Sequence, residues 1–374
     1  MYKDSSKLLT NNVVFLMLIG YTMLLRLSPA LAVRQFILAT VALVLTLFVP
    51  MLMGKLKEMK NWSYFYAIAG IIFLAMVFVP GIGVEKFGSR NWIYIAGIGI
   101  QPMEFVKILF ILFVASGLVK ASTYKDLFIN AAISVLFMLI LVLEKDFGAV
   151  MLFYIAYFMM VYLATSKFRY VLLGLGLAVM ACLVGYVLFK NNLFAHVMVR
   201  VDAWRDPFKN QQTGGYQVCE SLFAIGTGGF IGTGLGNGMP NLIPVAESDF
   251  IFSAICEELG AIFGLALILI YISSFIAMSN IAMKCKNPFY KYMTFGIAIV
   301  YIFQVLLNIG GATKFIPSTG VTLPLISYGV SSVFSTLLMF SMVQYTYIFV
   351  SREASKVEQE KNKLKRKVLR EEGY

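Results

Sequence analysis

The sequence predicts an all-α, polytopic membrane protein, and its composition and hydropathy are the observations that predict it. Of the 374 residues, 60% are hydrophobic and 13% are charged, with a mean hydropathy of +0.82. Soluble domains carry about 25% charged residues. The formal net charge of +12 is spread between the apolar runs. Because these basic residues form no stripe with stacking aromatics, the charge indicates membrane topology rather than nucleic-acid binding.

Ten apolar segments are long enough to be transmembrane helices, since a crossing needs about 20 residues. We predict these helices near residues 12–27, 31–53, 63–80, 102–119, 127–143, 147–165, 170–189, 250–278, 290–310 and 328–350. The first run has no small-residue cleavage motif and is followed at once by further spans, so it is a span rather than a signal peptide. An even number of spans places both termini on one side.

Basic residues in the connecting segments predict which side that is. One set of segments carries about twelve of them, namely Lys3, Lys7, Lys55, Lys57, Lys60, Lys120, Lys125, Lys167, Arg169, Lys284, Lys286 and Lys291. The opposite set carries about six, namely Arg26, Arg34, Lys86, Arg90, Lys145 and Lys314. The positive-inside rule then predicts cytoplasmic termini.

The chain is thus predicted to be a single transmembrane domain over residues 1–350, with a large extracellular loop (190–249) between helices 7 and 8. A charged cytoplasmic tail follows over residues 351–374. For this tail, a solvated and partly helical end near anionic lipid and a docking site for a cytoplasmic partner are both open interpretations.

The polar, glycine-rich segment from Arg200 to Gly260 is the best candidate for chemistry. Asp249 stands directly before the apolar run that starts at Phe250, at or just before a predicted helix N-terminus. The helix dipole favours its charged form there, while burial opposes ionisation. A carboxylate in this position can act as a general base toward a hydroxyl. Simple N-capping is the structural alternative.

The glycine run from Gly232 to Gly238 is superficially similar to a dinucleotide fingerprint, but it lacks the strand and helix of a βαβ unit. The favoured prediction is a closely packed, re-entrant backbone. Glu257 and Glu258 lie two turns beyond Asp249 and are predicted to stabilise the helix bundle.

Glu104 and Lys107 form a second polar cluster near the start of a predicted helix. Pro102 suits the first turn of that helix, and residues three apart lie on one helix face. Two interpretations stay open: a buried ion pair that fixes helix packing, and a pair that shapes a polar cavity.

A third set of polar residues is predicted at the same membrane boundary. Asp146 closes the Glu144-Lys145-Asp146 turn and is expected to face the same outer space as the large loop. Trp92 follows Arg90, and an interfacial anchor is the common role of such a tryptophan.

Many of these segments are similar to motifs of the SEDS family (shape, elongation, division and sporulation), the group of RodA, FtsW and SpoVE. The similar segments are Gly88-Ser-Arg90-Asn-Trp92-Ile, Gln101-Pro-Met-Glu104-Phe-Val-Lys107, Asp146-Phe-Gly148, Arg200 through Trp204 to Asp206-Pro207, Gly215-Tyr-Gln217, Ser221, Gly228 to Gly236, Pro244 to Asp249-Phe-Ile-Phe, Glu257-Glu258-Leu-Gly260, Thr319 to Pro324 and Ser327-Tyr328-Gly329. The resemblance covers nearly the whole chain.

The resemblance implies a ten-helix membrane glycosyltransferase that polymerises lipid II into peptidoglycan strands during elongation, division or sporulation, beside a class B penicillin-binding protein. It also implies that the family's catalytic aspartate falls on Asp249, its buried pair on Glu104 and Lys107, its outer tryptophan on Trp92 and its second outer acid on Asp146. Two other functions are the alternatives: a lipid II flippase and a non-catalytic scaffold for the penicillin-binding protein.

In the implied reaction, Asp249 deprotonates a sugar hydroxyl of one lipid II, which attacks the anomeric carbon of a lipid-pyrophosphate donor. Undecaprenyl pyrophosphate leaves. We assign Arg90, Arg200 and Arg205 to the pyrophosphate, since guanidinium groups bind phosphate strongly. A divalent cation such as Mg²⁺ is an alternative carrier of that charge, and the sequence contains no ligand cluster that selects it.

Overall fold

The structure is a computed structural model that describes residues 4–56, 58–86, 88–95, 98–189, 195–210 and 214–371. Its helices are α1 Lys7–Leu27, α2 Pro29–Thr46, α3 Val49–Lys55, α4 Ser63–Ala75, α5 Pro102–Lys120, α6 Tyr124–Leu143, α7 Phe147–Thr165, α8 Arg169–Phe189, α9 Ala195–Arg205, α10 Tyr216–Gly228, α11 Ile251–Lys284, α12 Pro288–Ala312 and α13 Val330–Glu371. Residues 190–194 and 211–213 of the predicted outer loop and 372–374 of the tail lie outside this description, as do Lys3 and Lys57.

The predicted all-α, polytopic membrane fold is confirmed. Within the described ranges, eight apolar segments are long enough to cross a membrane, with α2 and α3 counted as one, and two shorter apolar helices cover Ser63–Phe78 and Arg169–Met180. The turn at residues 144–146 separates α6 from α7, as predicted. Helix α13 does not end near residue 350 but continues to Glu371. Its charged extension contains no proline or glycine up to that point, so nothing in the local sequence terminates it.

Helices α5 and α12 form the centre of the bundle and are buried over most of their length. Apolar residues surround α5 on all sides, which is the pattern of a helix enclosed by other helices. Phe110 of α5 packs against Phe153 of α7 with ring centroids 4.5 Å apart. The polar side chains of α5 are therefore held inside protein rather than in lipid.

A small antiparallel sheet covers the end of the bundle that carries Asp249. Its strands are β1 Gly83–Lys86, β2 Ser89–Ile95 and β3 Ile98–Ile100, in the order β1-β2-β3. Trp92 lies opposite Val84 in the β1–β2 pair. This sheet is not predictable from the sequence pattern, because its strands are too short to give a clear alternation.

The glycine run packs against α11 as a re-entrant backbone, which confirms that prediction. Gly260 interrupts α11 with φ 88° and ψ 164°, and a Cβ atom there would lie 2.4 Å from the carbonyl oxygen of Phe230. Only glycine combines this φ with such a close approach. The N–H groups of Thr233 and Gly234 donate to the carbonyls of Glu257 and Glu258, both at 2.9 Å.

The carboxylates of Glu257 and Glu258 hold the same region together. Arg26 of α1 forms a 3.0 Å ion pair with Glu258 and also donates to the carbonyl of Gly238 at 3.1 Å. Glu257 accepts the N–H of Met239 at 2.9 Å. These contacts confirm the predicted stabilising role of the two glutamates.

Candidate functional site

Helix α9 lies against the loop that joins α12 to α13, which we call the α12–α13 loop (residues 313–329). Arg200 donates through Nη1 to the carbonyl of Ser318 at 3.3 Å. One turn further, the indole N–H of Trp204 donates to the carbonyl of Lys314 at 3.1 Å. Residues four apart share one helix face, so this face of α9 is fixed on the loop by two contacts.

Asp249 lies directly before the N-cap of α11 and does not cap it. The N-cap position is held by Phe250, and no side chain there accepts a helix N–H. Asn308 of α12 donates to the backbone carbonyl of Asp249 at 3.0 Å and to that of Val321 at 2.8 Å. The N-capping alternative is therefore wrong, and the segment before α11 is held by α12 and by the α12–α13 loop.

The side chains of Arg200 and Asp249 both lie close to Gly320. Its φ is +74°, and a Cβ atom built on it would lie 3.5 Å from Arg200 Nη2 and 3.6 Å from Asp249 Oδ2. At most about 7 Å therefore separates the guanidinium from the carboxylate. A side chain at this position would contact both groups and strain the backbone. We call the charged region around Gly320 the recess.

Asp146 also lies close enough to Arg200 to interact with its charge. Its Oδ1 caps α7 by accepting the N–H of Ala149 at 3.0 Å, and its Oδ2 accepts the side-chain amide of Asn91 at 2.8 Å. Gly148 of the same turn packs against the α12–α13 loop, with its Cβ position 3.2 Å from the carbonyl oxygen of Thr319. Asp146 thus combines a capping role with a place beside the recess.

The pKa values of Asp249 and Asp146 depend on burial and on the charge of Arg200. Burial raises the pKa of the Asp249 carboxyl, and a hydrogen bond from Ser248 and the charge of Arg200 oppose that rise. Burial also raises the pKa of Asp146, while its contacts with Ala149 and Asn91 and the charge of Arg200 lower it. Arg200 therefore favours the ionised form of both aspartates.

Glu144 adds a buried acid next to Asp146. Its side chain is fully buried, and neither carboxylate oxygen has a hydrogen-bond partner among the described residues. Burial, and to a lesser degree the charge of Asp146, raise the pKa of Glu144 to about 9. With a pKa of about 9, the Glu144 carboxyl is mostly protonated at neutral pH.

Glu104 and Lys107 form a buried ion pair in the first two turns of α5, with 2.5 Å between Lys107 Nζ and Glu104 Oε2. Ser335 of α13 donates to Glu104 at 2.8 Å, and Lys107 donates to the Gln304 side chain of α12 at 2.9 Å. Gln304 in turn donates to the carbonyl of Thr322 at 3.2 Å. The pair thus joins three helices to the α12–α13 loop, which favours the packing interpretation.

The remaining predicted site residues lie at or near the rim. Arg90 and Trp92 are half-buried in β2, and the N–H of Arg90 donates to the carbonyl of Glu144 at 3.0 Å. Arg205 ends α9 with an exposed side chain. Five residues correspond to about 140° around a helix. Arg205 therefore points away from the face that carries Arg200.

Several residues that build the recess or bind the Glu104–Lys107 pair were not among the predicted site residues. They are Asn91, Gln304, Asn308, Ser318, Gly320 and Ser335. Gln304 and Asn308 are four apart in an apolar helix. Polar side chains inside a span are costly and are by default candidates for function, so this spacing is a signal that could have identified them.

Comparisons with known proteins place the chain in a family. The FtsW/RodA/SpoVE family model, described as "Cell cycle protein", matches residues 8–351. The "Peptidoglycan glycosyltransferase RodA" of Mycobacterium tuberculosis H37Rv is 35% identical over 304 residues, which are 77% of this chain and 64% of the relative. The "Probable peptidoglycan glycosyltransferase FtsW" of Marinomonas mediterranea is 33% identical over 299 residues, which are 77% of this chain and 72% of the relative. The chain thus spans slightly less than two thirds of the mycobacterial protein.

Solved structures share the fold. A chain of the structure described as "Structural coordination of polymerization and crosslinking by a peptidoglycan synthase complex" has a TM-score of 0.78 and 26% identity, covering 93% of this chain and 99% of that chain. The Thermus thermophilus Rod shape determining protein RodA has a TM-score of 0.67 and 24% identity over 92% of this chain and 97% of that chain. With a family match over nearly its whole length and eight apolar segments long enough to cross a membrane among the described residues, this chain is a multi-pass membrane protein that belongs to the FtsW/RodA/SpoVE family, the SEDS proteins.

Proposed function

We propose that the chain is a peptidoglycan glycosyltransferase that polymerises lipid II into glycan strands. The observation that carries the proposal is the recess around Gly320, where the Asp249 carboxylate and the Arg200 guanidinium both lie within 4 Å of the Cβ position of Gly320. A base beside a fixed cation is the arrangement that transfer of a sugar from a diphosphate requires. Two relatives from different genera are named as peptidoglycan glycosyltransferases, which supports the same activity.

In the proposed step, Asp249 accepts the proton of a sugar hydroxyl on the acceptor lipid. The hydroxyl oxygen forms a bond to the anomeric carbon of the donor, and the bond from that carbon to the diphosphate oxygen breaks. The diphosphate leaves on its lipid with the electron pair of the broken bond. General-base catalysis of this kind contributes about 10²–10⁴-fold to a rate.

Arg200 supplies positive charge where the diphosphate develops negative charge. Its guanidinium has further N–H donors beyond the one bound to Ser318. Arg90 at the rim is a second candidate for the diphosphate, whereas the direction of Arg205 makes it a contact for more distant parts of the substrate. No group of three potential metal ligands occurs in the part of the chain that the structure describes.

We also propose that the recess faces the outside of the cell, that both termini are cytoplasmic, and that a class B penicillin-binding protein is the partner. The asymmetry of basic residues supports the orientation. The solved relative described as part of a peptidoglycan synthase complex supports the partner.

The activity is tested by purifying the chain with its penicillin-binding partner and adding labelled lipid II. We expect glycan polymer that contains many disaccharide units. Absence of polymer under conditions in which a characterised relative is active would contradict the proposal. Transport of lipid II without polymer would favour the flippase, and partner binding alone would favour the scaffold.

Cysteine labelling tests the orientation. A cysteine introduced near Asn210, in the segment between α9 and α10, is expected to react with an impermeant maleimide in intact cells. A cysteine introduced near Lys286, between α11 and α12, is expected to react only after the cells are opened. Labelling in the reverse pattern would overturn the orientation and place the recess on the cytoplasmic side.

The pH dependence of the rate tests the role of Asp249. Because burial raises the pKa of its carboxyl above the ordinary value of 3.8, activity should be lost as the pH falls through a value above that. Arg200 lowers this pKa, so Arg200→Gln should move the acid limb of kcat/KM to higher pH. The exposed Asp202→Asn change on the same helix should leave the limb unchanged. An acid limb that Arg200→Gln does not move would contradict the assignment.

A further inference from the structure

A buried glutamine in α2 is not explained by the proposed reaction. The buried residues of α2 are Ala32, Gln35, Ala39, Ala42 and Thr46, which recur every three or four positions and so form one face. Gln35 is only 2% exposed. A polar side chain inside a membrane-spanning helix is costly and is by default a candidate for function. The amide of Gln35 therefore indicates a specific contact.

Both ends of the Gln35 amide bind backbone of the α12–α13 loop. Its Nε2 donates to the carbonyl of Ser327 at 3.1 Å, and its Oε1 accepts the N–H of Gly329 at 2.8 Å. A glutamine amide offers both donors and an acceptor, so one side chain fixes the backbone on both sides of Tyr328. Gln35 and Ser327 are 292 positions apart in the chain, and only tertiary packing brings them together.

The two residues that Gln35 fixes or flanks bind the segment before α11. The N–H of Tyr328 donates to the carbonyl of Glu247 at 2.7 Å. The hydroxyl of Ser327 donates to the carbonyl of Ser248 at 2.5 Å. The position of these two carbonyls therefore depends on the part of the loop to which Gln35 binds.

Asp249 follows directly, and its own backbone is held in the same way. Asn308 of α12 donates to the Asp249 carbonyl at 3.0 Å. Three consecutive carbonyls, those of residues 247–249, thus accept hydrogen bonds from outside their segment. Backbone that is held at three successive residues has little freedom to turn, so the direction of the Asp249 side chain is set by these donors.

Other contacts hold the α12–α13 loop in place independently of Gln35. A Cβ atom on Gly20 of α1 would lie 2.8 Å from the carbonyl oxygen of Ile326, so the two backbones are in close contact. The hydroxyl of Tyr271 in α11 donates to the carbonyl of Pro324 at 2.8 Å. Loss of the Gln35 contacts should therefore loosen the end of the loop next to α13 without releasing the whole loop.

We propose that Gln35 is a positioning residue that fixes the direction of the Asp249 carboxylate. It acts through Ser327 and Tyr328, whose donors hold the two carbonyls before that of Asp249. This inference rests on the proposed function, in which Asp249 is the base. A misplacement of about 1 Å caused by a distant residue can cost about 10²-fold in rate, so Gln35 governs turnover rather than binding of lipid II.

Gln35→Met tests the proposal in the purified full chain with its penicillin-binding partner, because it keeps the side-chain length and removes both hydrogen-bonding groups. We expect kcat for lipid II polymerisation to fall roughly 10–100-fold, with KM nearly unchanged. The matched control is Thr46→Val on the same face of α2. It removes a buried hydroxyl whose 3.0 Å bond to the carbonyl of Leu43 stays within the helix, and it should polymerise lipid II at the wild-type rate.

The pH profile distinguishes positioning from a loss of folded protein. The charged groups that act on Asp249 are Arg200 of α9 and Glu247 of its own segment. Because Arg200 lowers the pKa of Asp249, a carboxylate that is held less firmly beside it should titrate at higher pH. The acid limb of kcat should therefore move to higher pH in Gln35→Met and stay in place in Thr46→Val. A smaller amount of active enzyme would lower the rate by the same factor at every pH.

Combining Gln35→Met with Asp249→Asn tests the route. If Gln35 acts through the Asp249 carboxylate, the residual rate of Asp249→Asn should not fall further when Gln35 is also replaced. A further fall by the factor seen in Gln35→Met alone would overturn the proposal, because it would indicate damage that does not involve Asp249. A wild-type kcat with an unmoved acid limb in Gln35→Met would overturn it equally.

Ser327→Ala provides the second variant if Gln35→Met fails to fold. It removes the donor to the Ser248 carbonyl directly and should show the same loss of kcat and the same movement of the acid limb. Wild-type kinetics in Ser327→Ala would then overturn the proposal. Absence of polymer from the wild type would instead contradict the proposed function, and this inference with it.

Discussion

Asp249→Asn is expected to fold, to keep its penicillin-binding partner and to make almost no glycan polymer from lipid II. Asparagine has nearly the size of aspartate and retains a hydrogen-bond acceptor, but it cannot take a proton from a sugar hydroxyl. Loss of a general base costs about 10²–10⁴-fold in rate. The backbone carbonyl that binds Asn308 is unchanged by the substitution. The measurement is the rate of polymer formation by variant and wild type with the same partner.

The control for this experiment is Asp202→Asn, which makes the same chemical change at an exposed position of α9. It should polymerise lipid II at the wild-type rate. Near-normal polymerisation by Asp249→Asn would remove Asp249 from the reaction while leaving the proposed activity in place. Loss of lipid II polymerisation in both variants would instead indicate general damage to the protein.

Glu104→Ala is expected to lower both the amount of folded protein and its activity. Removing one partner of a buried pair leaves Lys107 uncompensated, which costs about 3–5 kcal/mol. The same change takes the acceptor from Ser335 of α13. Thermal unfolding in detergent and the yield of monodisperse protein measure the loss. The exposed Lys125→Ala change at the start of α6 should leave both unchanged.

A second variant separates packing from chemistry at this pair. Combining Glu104→Gln with Lys107→Met removes both charges and should recover much of the lost stability, since an uncharged replacement of a buried pair is often neutral. If the pair only fixes packing, activity should recover together with stability. A stable double variant without activity would place the charges of Glu104 and Lys107 in the reaction itself.

The sequence by itself determined the helices and singled out Asp249 as the candidate base. A crossing needs about 20 apolar residues, so hydropathy alone located the apolar helices and the short turn at residues 144–146. Asp249 was recognisable because a carboxylate at a membrane boundary is rare and costly. The glycine run was also predictable, since closely spaced glycines indicate closely packed backbone.

Helix ends and short strands were less predictable from local signals. Helix α13 extends about twenty residues beyond its predicted end, because its polar residues are good helix formers and hydropathy does not detect them. The sheet of β1 to β3 depends on pairing between strands of three to seven residues, which is too short for a periodic signal. The N-cap of α11 at Phe250 depends on the fold around it rather than on capping propensity.

Only the tertiary structure decided which groups surround Asp249. Arg200 and Ser318 are 118 positions apart in the chain, yet they are in contact. Gly320 then places the guanidinium and the carboxylate around one point. Periodicity in a sequence tells which face of a helix is buried, but not which distant segment buries it. The recess therefore exists only because α9, α11, α12 and the α12–α13 loop pack together, and that packing is a property of the whole bundle.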